Sequence, residues 1–153
     1  SKIEWTAIFF FAGLFVLVGA LVETGVIKFL AAEAIKLTNG SVNATAMLIL
    51  WMSAFASAFI DNIPFVATLI PLIQDMGQMG LANLDPMWWS LALGACLGGN
   101  GTLIGASANV VVASMAAQRG KQMSFIGFMK IAFPIMIMTI AISSVYVWLR
   151  YLL

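Results

Sequence analysis

The 153-residue chain has no histidine and one cysteine, and only 8% of it is charged. Without an imidazole, the metalloprotease pairing HExxH and serine–histidine intramembrane proteolysis both fall away. No nucleophile stands beside a base, so the chain is read as a non-enzyme. Cys96 cannot close an internal disulfide and has no histidine with which to share a metal. A net charge of +1, from scattered residues, offers no face for nucleic acid. The glycine-rich stretch described below lacks the lysine of a phosphate-binding loop.

What is present is apolar surface. Hydrophobic residues make up 63% of the chain, and the mean hydropathy is +1.06. A soluble domain could not be solvated with so few polar groups, which points to an all-α integral membrane protein, multi-pass, with the lipid bilayer as its first partner. The opening SKIEW has no initiator methionine and no signal-peptide pattern, so a segment of a longer protein is expected.

Residues 5–22 are uncharged and read as a spanning helix. Residues 23–38 place Thr24, Lys28 and Lys36 opposite Val26, Ile27, Leu30, Ala34 and Leu37, the pattern of an interfacial helix. Residues 44–75 read as a re-entrant hairpin with its tip at 60–64, where Asp61 and Asn62 cap a second arm and Pro64 fits its first turn. That arm, 63–73, is too short to span, and 74–84 reads as a polar loop. Asp85 then caps a helix with Pro86 at its first position.

Residues 86–118 read as a broken helix with its loop at 98–107. Five glycines, two asparagines, a threonine and a serine crowd GACLGGNGTLIGASANVVVA, residues 94–113. Close packing accounts for the glycines, since Gly94 with Gly98 and Gly101 with Gly105 are small-xxx-small pairs. It does not account for Asn100, Thr102, Ser107 and Asn109, each costly if unsatisfied in lipid. A binding loop accounts for both, its glycines permitting conformations that other residues resist. The final helix, 124–150, contains Pro134 and ends in Tyr146, Trp148, Arg150 and Tyr151, an interfacial anchor. Arg119 and Lys121 mark residues 119–122 as cytoplasmic, in what is expected to be a prokaryotic inner membrane.

A carboxylate at bilayer depth costs roughly 2.5–3.5 kcal/mol on insertion scales, so Asp61 either stays wet as a helix cap or is compensated by a cation or proton. The candidate ion site is therefore Asp61, Asn62, Gly99, Asn100, Gly101, Thr102, Ser107 and Asn109, with Pro64, Gly98 and Gly105 as hinges. The amide oxygen of Asn62 and the carbonyls freed at the interruption suit a sodium ion, and no other cofactor is expected. A passive channel and a non-transporting scaffold remain as rival readings.

Two stretches, FIDNIPFVATLIPLI and ALGACLGGNGTLIGASANVVVA, resemble signatures of the ion transporter superfamily of arsenite pumps, sodium–proton antiporters and sodium–dicarboxylate symporters. Within it, the melanosomal P protein branch is the nearest match. The resemblance implies one of two inverted repeats, here the C-terminal one, whose partner is the missing N-terminal repeat or a second copy of the chain in a homo-oligomer. It further implies secondary transport of a small inorganic or organic ion. Where the dicarboxylate branch carries Ser-Asn-Thr at the hairpin tip, this chain has Asp61, Asn62 and Ile63, so only the asparagine carries over. Gly101, Thr102, Gly105 and Asn109 match that branch's broken-helix motif, and the resemblance implies a bound sodium ion at Asn62, Thr102 and Asn109.

Overall fold

The computed structural model describes residues 5–153, without the side chains at 5–8, 10, 11 and 14; the expected first span, 5–22, lies partly outside the described side chains. Among the described residues, seven α-helices and a closing π-helical turn follow one another: α1 (Trp5–Glu23), α2 (Val26–Leu37), α3 (Val42–Ser57), α4 (Asn62–Gln78), α5 (Asp85–Gly98), α6 (Ser107–Gln118), α7 (Phe125–Val147) and the turn Trp148–Leu152. There is no strand among the described residues, and the all-α class holds. The segment Phe125–Leu152 is long and apolar enough to cross a bilayer.

Between Phe15–Glu23 and Val26–Leu37 the chain bends by 68°. Gly25 makes the bend with φ 76°, a backbone region that side chains with a Cβ resist. The face of α2 that packs is only part of the one the sequence suggests. Ile27 and Ala31 are fully buried and Ala34 joins them in part, whereas Val26, Leu30 and Leu37 are exposed. Helix α4 takes up that face, which explains the choice: Ile27, Ala31 and Ala34 lie on one side at i, i+4 and i+7.

The principal helix pair is α3 with α5. Gly94 lies against the Leu50 carbonyl and Ser53, Gly98 lies against Ala54, and the Ser57 hydroxyl donates to the Ala95 carbonyl at 2.6 Å. Residue numbers rise together along this seam, so the two helices run parallel. A Cβ on Gly94 would come within 2.5 Å of the Leu50 oxygen, so only glycine permits the approach. Ser53 and Ser90, also fully buried, have no side-chain hydrogen-bond partner among the described residues.

The hairpin arms α3 and α4 touch much less. Their common ground is a core in which Ala46 and Ile49 of α3 meet Leu69, Leu72, Ile73 and Met76 of α4, with Met87 and Leu91 of α5. The second arm is longer than expected, reaching Gln78 rather than Ile73. Polarity at Gln74 and Asp75 suggests a loop, yet Ile73 and Met76 are fully buried and hold the chain helical. The stop comes at Gly80, at φ 101°: its N–H bonds the Gly77 carbonyl, and Leu81 N–H reaches back to Met76. This is a Schellman ending, with Leu81 buried near its partner turn. In α5, Asp85 is the first helical residue rather than the cap; its N–H is bonded by the Asn83 side chain.

Helix α7 runs antiparallel to α3. Trp51 Nε1 donates to Ser144 Oγ at 3.1 Å, and the Phe55 ring meets that of Phe133 at a tilt, with centroids 6.1 Å apart. At the far end of α7 the Trp89 ring stacks on Tyr151 at 5.8 Å. Thus the start of α3, the start of α5 and the Trp148 end of α7 share one end of the molecule. The α3–α4 junction and the break after α5 point toward the other.

Candidate functional site at the hairpin tip and the helix break

Helix α5 ends at Gly98, and α6 begins at Ser107; residues 99–106 form turns and bends. The parallel packing of α3 and α5 delivers this interruption to the hairpin tip. Thr102, fully buried, donates its hydroxyl to the Ala58 carbonyl and accepts the Gly105 N–H at 3.1 Å. Gly105 rests on the carbonyls of Gly99, Ala58 and Ser57, where a Cβ would meet oxygen at 2.6, 2.7 and 2.9 Å. Gly99 faces the Gly105 carbonyl in the same way, and Gly101 is enclosed by Met136 and Ala58.

These glycines are selected for room. Positive φ among glycines occurs at 25, 40, 80 and 120, and at none of 98, 99, 101 or 105. The expectation that the loop glycines supply unusual dihedrals is therefore corrected: the backbone of one element comes too close to that of another for any side chain. Gly98 and Gly105 act as close-approach points, and the packing explanation holds for them.

Across this junction the Asp61 carboxylate caps α4 by accepting Ile63 N–H at 3.2 Å, and its second oxygen accepts the Ser107 hydroxyl at 2.5 Å. The carboxylate thus joins the first turns of two helices, where exposed N–H groups and the helix dipole favour negative charge. Asp61 is half-buried and Ser107 exposed. Asn109 clamps the loop from the α6 side, its amide nitrogen donating to the carbonyls of Gly99 and Thr102, both at 3.0 Å. Two carbonyl oxygens therefore converge on one point, the geometry a hard cation also uses.

Asn62 is not part of this arrangement. It lines a groove with Phe15, Ile63, Val66, Ala67 and Ile70, and among the described residues its amide makes no hydrogen bond to the loop. The sodium set Asn62, Thr102 and Asn109 is thus brought together only at its last two members. Asn100 is exposed, with no side-chain hydrogen bond among the described residues. Pro64 sits in the first turn of α4, and its carbonyl accepts from Thr68 Oγ1 at 2.9 Å. No cluster of three histidine, cysteine, aspartate or glutamate residues occurs among the described residues.

The sequence reading passes over the carbonyls of Ser57 and Ala58, which no residue-type signal could identify. It also passes over Lys130, the one charge inside α7, which borders Phe59 at the end of the hairpin's first arm. That signal was available, since the run from Phe125 to Leu149 is otherwise uncharged. Helix α6 has no buried residue and no extensive contact with another helix; Val111 and Val112 are 57% and 59% exposed.

A family profile described as citrate transporter, CitMHS, matches residues 1–94, ending before the interruption. An uncharacterized transporter of Mycobacterium bovis is 49% identical over 99% of this chain. The 46 kDa membrane protein of Mycobacterium leprae is 43% identical over 99% of it. The P protein of Mus musculus is 42% identical, again over 99% of this chain but only 19% of its own length. The chain spans 36% of the length of the two mycobacterial relatives. No solved structure matches.

Proposed function

The chain belongs to the citrate transporter family, and from that premise we propose that it is the C-terminal repeat of a secondary active transporter, moving a small ion with sodium or proton coupling. The observation carrying this reading is the junction itself: a carboxylate, a hydroxyl and two converging carbonyls gathered where a hairpin tip meets an interrupted helix. Irregular backbone at membrane depth is tolerated only against protein or water, so such a junction fits a solute path better than a lipid-facing surface.

Helix lengths support a hairpin that enters and returns. The first arm, 16 residues, is about 24 Å long at 1.5 Å per residue, short of a hydrocarbon core of about 30 Å. It starts beside the aromatic Trp148 end of α7, so its tip stops inside the far boundary. Asp75 and Asp85 lie at the entry end, and Arg119 and Lys121 lie beyond the tip, which under the positive-inside rule makes residues 119–122 cytoplasmic.

In this mechanism Asp61 is the switchable charge. Neutralised by a proton or an adjacent cation, it no longer needs the Ser107 hydroxyl, and the α4–α6 contact loosens. A sodium ion would take the Gly99 and Thr102 carbonyls from the Asn109 amide, with Asn109 swinging its oxygen inward. Since the glycines are explained by packing, the reading rests on Asp61, Thr102, Ser107 and Asn109. The exposed apolar sides of α6 fit cover by the remainder of the polypeptide or a second copy. The deciding experiment is flux of full-length protein in liposomes against a panel of ions, with and without pH and sodium gradients. Uphill movement driven by one of those gradients supports the reading; flux that only follows its own gradient favours a channel.

A further inference from the structure

Lys130 lies in a setting that the transport reading does not use. It is the only charged residue of α7 and is exposed. It borders a groove of about 360 Å³ whose other walls are Phe59, Met129, Phe133 and Pro134, all apolar. Among the described residues it makes no ion pair; the one such pair is Lys36 with Glu33. Pro134 carries no N–H, so the Lys130 carbonyl also lacks its helical donor at that position.

Depth follows from helix length. At 1.5 Å per residue, Lys130 lies about 8 Å beyond the first residue of α7 and about 27 Å from Trp148. With Trp148 at one headgroup layer, the Lys130 ammonium comes to the inner edge of the opposite one, where a lysine can extend to lipid phosphate. Arg119 and Lys121, in the loop leading into α7, stand at the same end. Among the described residues the acidic groups lie toward the other end, except Asp61, which is engaged by Ser107 and Ile63.

An isolated ammonium at the rim, with an aromatic-walled apolar groove below it, is complementary to an amphiphile with an anionic head and a hydrocarbon tail. We infer that this groove holds an anionic phospholipid, its phosphate on Lys130 and its acyl chain against Phe59, Met129 and Phe133. Phe59 lies two positions from Asp61, so the bound lipid packs against the hairpin tip itself.

The test uses purified full-length protein in neutral detergent, with thermal unfolding followed in the presence of phosphatidylglycerol, phosphatidylcholine or inorganic phosphate. Phosphatidylglycerol is expected to raise the wild-type midpoint beyond the effect of phosphatidylcholine. Lys130→Met, which keeps the side chain's length and packing, is expected to lose most of that difference, and Lys130→Arg to keep it. Native mass spectrometry should show lipid retention weakened by roughly fivefold in Lys130→Met, the contribution of one basic residue near an anionic surface. Undiminished lipid stabilisation or retention in Lys130→Met overturns the proposal. So does an equal response to inorganic phosphate, which would make this a site for free anions. Neither readout depends on transport, so the outcome is independent of the function proposed above.

Discussion

The buried hydroxyl of Thr102 donates to the carbonyl of Ala58, tying the helix interruption to the end of the hairpin's first arm. It also accepts the Gly105 N–H. Thr102→Val keeps the shape and removes both bonds, leaving a buried carbonyl and N–H unpaired. The expected loss is about 1–3 kcal/mol, read as a lowered midpoint of thermal unfolding in detergent. Thr102→Ser should recover most of it; a valine variant as stable as wild type would mean that the contact contributes nothing.

Two glycine substitutions should separate room from helix propensity. Gly105→Ala must push a methyl into three carbonyl oxygens and is expected to cost about 1–3 kcal/mol. Gly19→Ala, in α1 with nothing within 4 Å, should be neutral or stabilising by up to about 1 kcal/mol. Equal effects at the two sites would contradict the packing account of the loop.

Asp61 and Ser107 form a pair suited to a double-mutant cycle. Asp61→Asn is expected to remove the pH or sodium dependence of flux in the full-length protein while leaving it folded, because asparagine also caps helices. Ser107→Ala should weaken coupling less, and adding it to Asp61→Asn should do little more. Additive effects would show that the two side chains act independently.

The two asparagines should differ. Asn109→Ala frees the carbonyls of Gly99 and Thr102 and is expected to raise the sodium concentration for half-maximal flux by tenfold or more, corresponding to about 1.4 kcal/mol. Asn62→Ala, on the groove side of α4, should change it less than twofold, or about 0.4 kcal/mol. A reversed order would return Asn62 to the ion site.

The all-α class and the interruption after Gly98 are legible because they depend on local composition: long uncharged runs, then polar side chains among them. Helix pairing is not. The parallel seam of α3 and α5 depends on Ser53, Ala54 and Ser57 meeting Gly94 and Gly98, and small residues advertise a close neighbour without naming it. The direction of Asn62 escapes for a related reason. Asp61 is the non-helical cap and Asn62 the first residue of α4, so the carboxylate reaches Ser107 while the neighbouring amide borders the groove on another side. The extent of α4 is misread at Gln74 and Asp75, because polarity there marks an exposed face while Ile73 and Met76 fill the core.

The seam between α3 and α5 has a mechanical corollary. Helices locked backbone to backbone through Gly94 and Gly98 have no slack to slide, and parting them would strand the buried Ser57 hydroxyl. The hairpin's leading arm and the half-helix beneath the gap therefore form a single rigid unit. In the transport cycle proposed above, whatever relocates would pivot at the margins of this unit, where Gly25 bends the chain and where the 119–124 connection leads into α7.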